Sequence, residues 1–255
     1  MKPLLIGGPI ALALIFAGSA CKRPASTASF TPPRAPVSIA SVAAAKTLTV
    51  ANEVEAKVRP EEHSKMLKDA ENLFHKRDIG GALTMLDGAP AALKTDPEFL
   101  NLRGACRVEK KDYKAALADF EEAAKKDPDN PGVQFNIAEM HYVTKRWDEA
   151  VKAFQLVKSK PGGVPANLSA LVDFKLMLCE EGRGNDAEFD RLAAANLKEA
   201  DTLLAAYTKA AMEFRAGKKA DAKVTIAAAN KKFPDRAETS PYYDTMIEFG
   251  YDPRK

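Results

Sequence analysis

The sequence is short of aromatics, which make up 7% of its 255 residues, and shorter still of tryptophan, cysteine and histidine, with one, three and three. The histidines, His63, His75 and His141, are scattered. None stands at the i, i+4 spacing of a zinc-binding helix, so no metal site is indicated. No G-x-S-x-G elbow, phosphate-cradling glycine loop or dinucleotide fingerprint occurs. The sequence therefore gives no sign of an enzyme, a cofactor or a small-molecule substrate. Charge of one sign is also lacking: 38 basic and 35 acidic residues leave a net charge of +3. The lysine pairs 110–111, 125–126 and 231–232 are spread along the chain. A nucleic-acid surface would cluster its cations among stacking aromatics, so that partner is set aside. What is plentiful is alanine, the commonest of the hydrophobic residues that form 46% of the chain, while β-branched residues are sparse. That mix predicts an all-α protein.

Met1-Lys2 leads an apolar run, PLLIGGPIALALIFAGSA, ending in Gly18, Ser19 and Ala20 just before Cys21. A charged start, an apolar middle and a small-residue end predict a signal peptide over residues 1–20. Ala20 and Ser19 before a cysteine resemble the bacterial lipoprotein signal, although Gly18 stands where that signal usually has leucine. The resemblance implies a lipid on Cys21 through which the chain meets the membrane, and a chain facing the periplasm. The same residues also allow ordinary cleavage after Ala20, which would release a secreted protein, or an uncleaved anchor. Residues 22–45 have no acidic residue and are rich in Pro, Ser and Ala. They read as a tether, and 21–59 as a whole as lipid site and linker.

The segment YKAALADFEEAAKKDP at 113–128 repeats itself at a constant stride. Tyr113, Ala116, Phe120 and Ala123 are followed 34 residues later by Trp147, Ala150, Phe154 and Val157. Ile79, Ala82, Leu86 and Ala89 precede them by the same interval, and Lys219, Ala222, Ile226 and Ala229 carry the pattern near the end. Each set has a small residue on an upstream helix twelve positions before its first alanine: Ala70, Gly104, Ala138 and Ala210. The 72 residues between Trp147 and Lys219 leave room for a degenerate unit. Its turn would hold Gly182, its small positions Ala187 and Ala194, and Arg191 would fall where a ring belongs.

This register resembles the tetratricopeptide repeat over residues 60–239. The resemblance implies about five antiparallel helix pairs wound into a right-handed superhelical solenoid, with protein binding on the concave face. A capping helix and tail are expected at 240–255, with Ser240 as N-cap and Pro241 at the first helical position, and a partner-docking helix is the alternative. Family contact positions fall here on Leu67, Phe74, Asn101, Val108, Phe135, Glu139, Tyr142, Tyr207 and Phe214, with Glu71, His75, Glu109, Val143, Leu204 and Arg215 beside them. The family's carboxylate clamp is matched only by Asn101. The apolar and aromatic groove that remains suits a protein or peptide with aliphatic anchors and some positive charge. These rings can equally be groove-side core, or be covered by residues 46–59. Cys106 and Cys179 lie two units apart, too far for a disulfide, and read as small buried residues. The expected function is a lipid-anchored envelope scaffold in assembly, secretion or pilus biogenesis. A self-assembling structural protein and a regulatory subunit of an envelope enzyme stand as alternatives.

Overall fold

The computed structural model describes residues 60–159 and 164–254. The leader, Cys21, the 21–59 linker and most of PGGVP lie outside the described residues. Five helix pairs form the body: α1 (Pro60–His75) with α2 (Ile79–Asp87), α4 (Pro97–Glu109) with α5 (Tyr113–Lys126), α6 (Pro131–Val143) with α7 (Trp147–Ser159), α8 (Ala166–Gly182) with α9 (Asp186–Asn196), and α10 (Leu203–Arg215) with α11 (Lys219–Lys232). A single turn, α3 (Ala91–Lys94), and a last helix, α12 (Arg236–Phe249), complete the twelve helices among the described residues. Each second helix lies against the first helix of its own unit, and α2, α5, α7 and α9 also touch the next unit. The described chain is all-α and is a solenoid of helix pairs.

The local chemistry that cuts the chain into these pieces is legible. Asp96 and Asn130 cap α4 and α6, each accepting two backbone N–H bonds, and both helices start on proline. Proline fixes φ where no N–H partner is needed, and the capping side chain satisfies the orphan donors. Inside every pair, the residue two before the second helix is left-handed: Arg77, Lys111, Lys145, Gly184 and Gly217, with φ of 66°, 62°, 59°, 73° and 75°. In unit four that residue is Gly184; Gly182, expected in the turn, ends α8 instead.

The missing side chains have a measurable purpose. A Cβ built on Gly104 would stand 2.5 Å from the Phe120 ring, inside van der Waals contact. The gap on α4 is the seat of the ring on α5. Ala70, Ala138 and Ala210 are fully buried, as are Ala82, Ala116, Ala150 and Ala222 opposite them. Small residues on both helices let the backbones close, and the large residue one turn on fills the adjoining hole. Gly104→Ala is expected to cost about 1–3 kcal/mol by overpacking, despite alanine's better helix propensity. A lowered thermal midpoint checks it; an unchanged one would mean the ring moves aside.

Unit four departs from its expected register. Ala187, Ala194 and Arg191 are exposed, and Arg191 pairs with Glu188 across one turn. Phe189 and Ala193 face inward instead. Counting from the helix start, the ring stands where other units have alanine, and the alanine where they have a ring. Met177 occupies the small position of α8. Bulk has been exchanged between two sites, so the volume is kept while the pattern disappears.

The last helix also differs from expectation. It begins at Arg236, capped by Asp235, and Pro241 lies inside it rather than in its first turn. It packs on α6, α8 and α10. These are first helices of three successive units, so α12 lies along the concave face instead of only closing the last unit.

Candidate functional site

The concave face is built from equivalent positions of the first helices. Phe135 and Tyr142 come from α6, Phe174 from α8, and Tyr207 and Phe214 from α10. Onto them α12 lays one stripe, Tyr242, Thr245, Met246 and Phe249, at the i, i+3, i+4, i+7 spacing of a single helix face. Tyr242 lies between Tyr207 and Phe174 at ring distances of 5.3 and 5.5 Å. Phe249 meets Trp147 at 5.5 Å, and beyond the helix Tyr251 stacks on Phe214 at 5.2 Å. The Tyr142 hydroxyl donates to the Thr245 carbonyl at 3.1 Å, and the Tyr251 hydroxyl to the Glu181 carboxylate.

The expected contact residues thus divide. Phe135, Tyr142, Tyr207 and Phe214 are buried, the last three beside the chain's own C-terminal segment. Phe135 packs on Phe154 at 6.0 Å as core. Val108 is buried with Ala116, Phe120 and Met140. Asn101 is buried and accepts from Asn136 Nδ2 at 2.9 Å. Phe74 is buried and Leu67 half-buried in the N-terminal core. The carboxylates expected to attract a basic partner are largely committed inside the fold. Glu109 takes both guanidinium nitrogens of Arg77 at 3.0 and 2.8 Å, and Glu139 pairs with Lys175 at 3.0 Å. Arg103 joins Arg107 in holding the buried Asp119, each at 2.7 Å.

Sequence reasoning missed Lys175. It sits in the apolar run LVDFKLMLC with no acidic residue three or four positions away on either side. A buried lysine without a local partner must find one across the fold, and that was the available signal. Its side chain is 2% exposed, with Glu139 Oε2 at 3.0 Å, Glu248 Oε2 of α12 at 3.6 Å and the Tyr142 ring at 4.4 Å. Burial opposes the Lys175 charge, but the two carboxylates overcome it and hold the ammonium above its usual range. Burial pushes the Glu248 carboxyl up to about 8 although Lys175 pulls the other way, with Glu139 and Asp244 adding repulsion. Burial likewise raises Glu139. Asp244 is pushed up to about 6 by burial. Two carboxylates facing one ammonium leave an excess negative charge, which a proton on Glu248 removes.

The direction of the pH effect follows from linkage. A carboxyl raised in the folded state contributes stability below its unfolded pKa and loses it as pH rises through the folded value. The hold of α12 should therefore weaken as pH rises through about 8. Trp147, the sole tryptophan, lies under Phe249 and reports it. Its fluorescence is expected to change across that pH range, and Glu248→Gln should flatten the change. A profile unaltered by Glu248→Gln would assign the titration elsewhere.

At its N-terminal end α12 leaves the face incompletely filled. A pocket of about 700 Å3 opens there, lined by Leu171, Leu204, Phe233, Ala237, Glu238, Pro241 and Tyr242 among others. The convergent ionisable groups Glu139, Lys175 and Glu248 are buried where α12 meets α6 and α8. Cys106 and Cys179 are free and buried, and burial raises both thiols, so neither is a poised nucleophile.

A solenoid of hairpins with complementary small and large residues defines the class of protein, and family models named tetratricopeptide repeat match residues 76–131 and 107–172. The chain carries tetratricopeptide repeats across that span. No curated protein matches the sequence. Among solved structures it resembles TTC0263, a thermophilic TPR protein of Thermus thermophilus, at 16% identity and a TM-score of 0.52, over 72% of this chain and 99% of that one. PilF of Pseudomonas aeruginosa is similar at 14% identity and a TM-score of 0.52, covering 76% and 97%. YrrB, described as a TPR protein with an unusual peptide-binding site, is similar at 17% and a TM-score of 0.50, covering 76% and 94%. At these identities the likeness concerns the fold.

Proposed function

We propose that the protein is a non-enzymatic scaffold of the bacterial envelope, hung in the periplasm by lipid on Cys21 and its tether, that binds a protein partner in its concave face while an envelope complex of the secretion or pilus type is assembled. Tetratricopeptide-repeat proteins are protein-interaction scaffolds, and YrrB and PilF lend the analogy. One observation carries the reading: the concave face accepts an amphipathic helix, because α12 already lies in it and the face continues into an open apolar pocket. The cluster of Glu139, Lys175 and Glu248 serves that seating and is closed to substrate, which favours binding over chemistry.

Affinity capture of the anchored protein from solubilised membranes tests this. Leu204 is half-buried on the pocket wall, so Leu204→Lys should leave the fold intact and lose the partner. Recovery of the same proteins by both forms would refute the concave site. Palmitate incorporation that disappears in Cys21→Ser would establish the anchor, and incorporation unchanged by that substitution would exclude it.

A further inference from the structure

The concave face holds a helix, yet it holds it imperfectly. At the seam, Glu139 Oε1 and Glu248 Oε1 are buried without a hydrogen-bond partner. Each such atom forfeits the hydration it had in water, and the loss is recovered when the helix leaves. The groups within electrostatic reach of Glu248 are Lys175 of α8, Glu139 and Tyr142 of α6, Tyr113 of α5 and Asp244 of α12 itself; among these only Lys175 is cationic. At the other end, the first turns of α12 present Ala237 and Glu238 to an apolar wall that includes Leu171 and Leu204, and the pocket remains open between them. A short link, Phe233-Pro234-Asp235, joins α12 to α11. The occupant is well anchored in the middle, poorly satisfied at one carboxylate, and too polar at its start.

We propose that α12 is an exchangeable occupant, and that the face formed by α6, α8 and α10 receives a partner's amphipathic helix of the same anchor pattern extended by one large apolar residue. The pattern is a ring, an aliphatic residue four positions on and a second ring seven on, as in Tyr242, Met246 and Phe249. A carboxylate just before the second ring reaches Lys175. The additional residue stands four before the first ring, where α12 has Glu238, and enters the pocket. This deepens the scaffold reading and rests on it for the partner's existence, but not for the exchange itself.

The test uses a labelled peptide of residues 236–251 and its Glu238→Leu counterpart, added to the full chain. An attached helix competes at a high effective concentration, so wild-type protein should take up the first peptide weakly. Tyr242→Ala, Phe249→Ala protein should bind it at least about tenfold more tightly, because its own helix no longer competes. Burying one leucine should tighten the Glu238→Leu peptide by about tenfold over the natural sequence. The same change made in the protein should strengthen its own helix and reduce peptide uptake. Equal uptake by wild-type and loosened protein, or uptake by neither, would overturn exchange.

Should the loosened variant fail to fold, hydrogen exchange of the unmodified protein decides. The α12 amides are expected to exchange through an opening that leaves α8 protected. Exchange of both helices at the same free energy would sink the proposal. Because the peptide needs no natural partner, failed capture from membranes would remove the scaffold reading while leaving exchange standing, and failed peptide uptake would do the reverse.

Discussion

Lys175→Met is expected to destabilise the protein by about 3–5 kcal/mol near pH 8, the range for breaking a buried ion pair at one side. Methionine keeps the length and apolar stem of lysine, so packing is nearly preserved. What is lost is the one positive charge that the described residues set beside Glu139 and Glu248, which are 1% and 5% exposed. Two carboxylates then face each other in the core. Both take up protons more readily as pH falls, so urea unfolding at pH 5 should show a smaller loss than at pH 8. Adding Glu248→Gln should recover part of the deficit at pH 8. A cost of under about 1 kcal/mol at both pH values would be that of a solvated pair, and would contradict burial.

Phe120→Ala is the second large effect, expected at about 3–5 kcal/mol for a ring removed from a tight core. The ring is fully buried among Val108, Ala116 and Met140 and rests on Gly104 of the facing helix. This dependence makes the two sites non-additive. Gly104→Ala should be harmful in the natural protein but neutral or favourable beside Phe120→Ala, where its methyl enters vacated space and alanine suits the helix better than glycine. A double-mutant cycle by thermal denaturation checks this. Additive costs would show that glycine and ring do not share one volume.

The helix pairs were legible because their cause is local and periodic. Gly104 and Phe120 belong to one unit and recur as a type at a fixed stride, so the sequence displays their complementarity directly. Unit four escaped because Phe189 and Ala193 exchange bulk, which satisfies volume and erases the order that a pattern search needs. The place of α12 escaped for a different reason. Tyr242, Met246 and Phe249 announce an apolar stripe, and a stripe suits either the end of a stack or its inner curve. The choice is made by partners 100 residues away, as when the Tyr142 hydroxyl meets the Thr245 carbonyl at a separation of 103. Lys175 was the overlooked pointer. The residues expected to make contacts do lie on first helices, but spacing alone does not say whether another part of the chain already covers them.

The course of α12 alters how the array comes apart. Stacked hairpins ordinarily touch only their neighbours and can peel from either end. A helix that bridges α6, α8 and α10 ties the last three units into one block with a continuous core from Phe135 to Met246. The first two units, with their own smaller core around Leu86 and Phe99, stand outside that tie. Denaturation should accordingly begin at the amino-terminal end, and the bridged block should melt later as a single cooperative body.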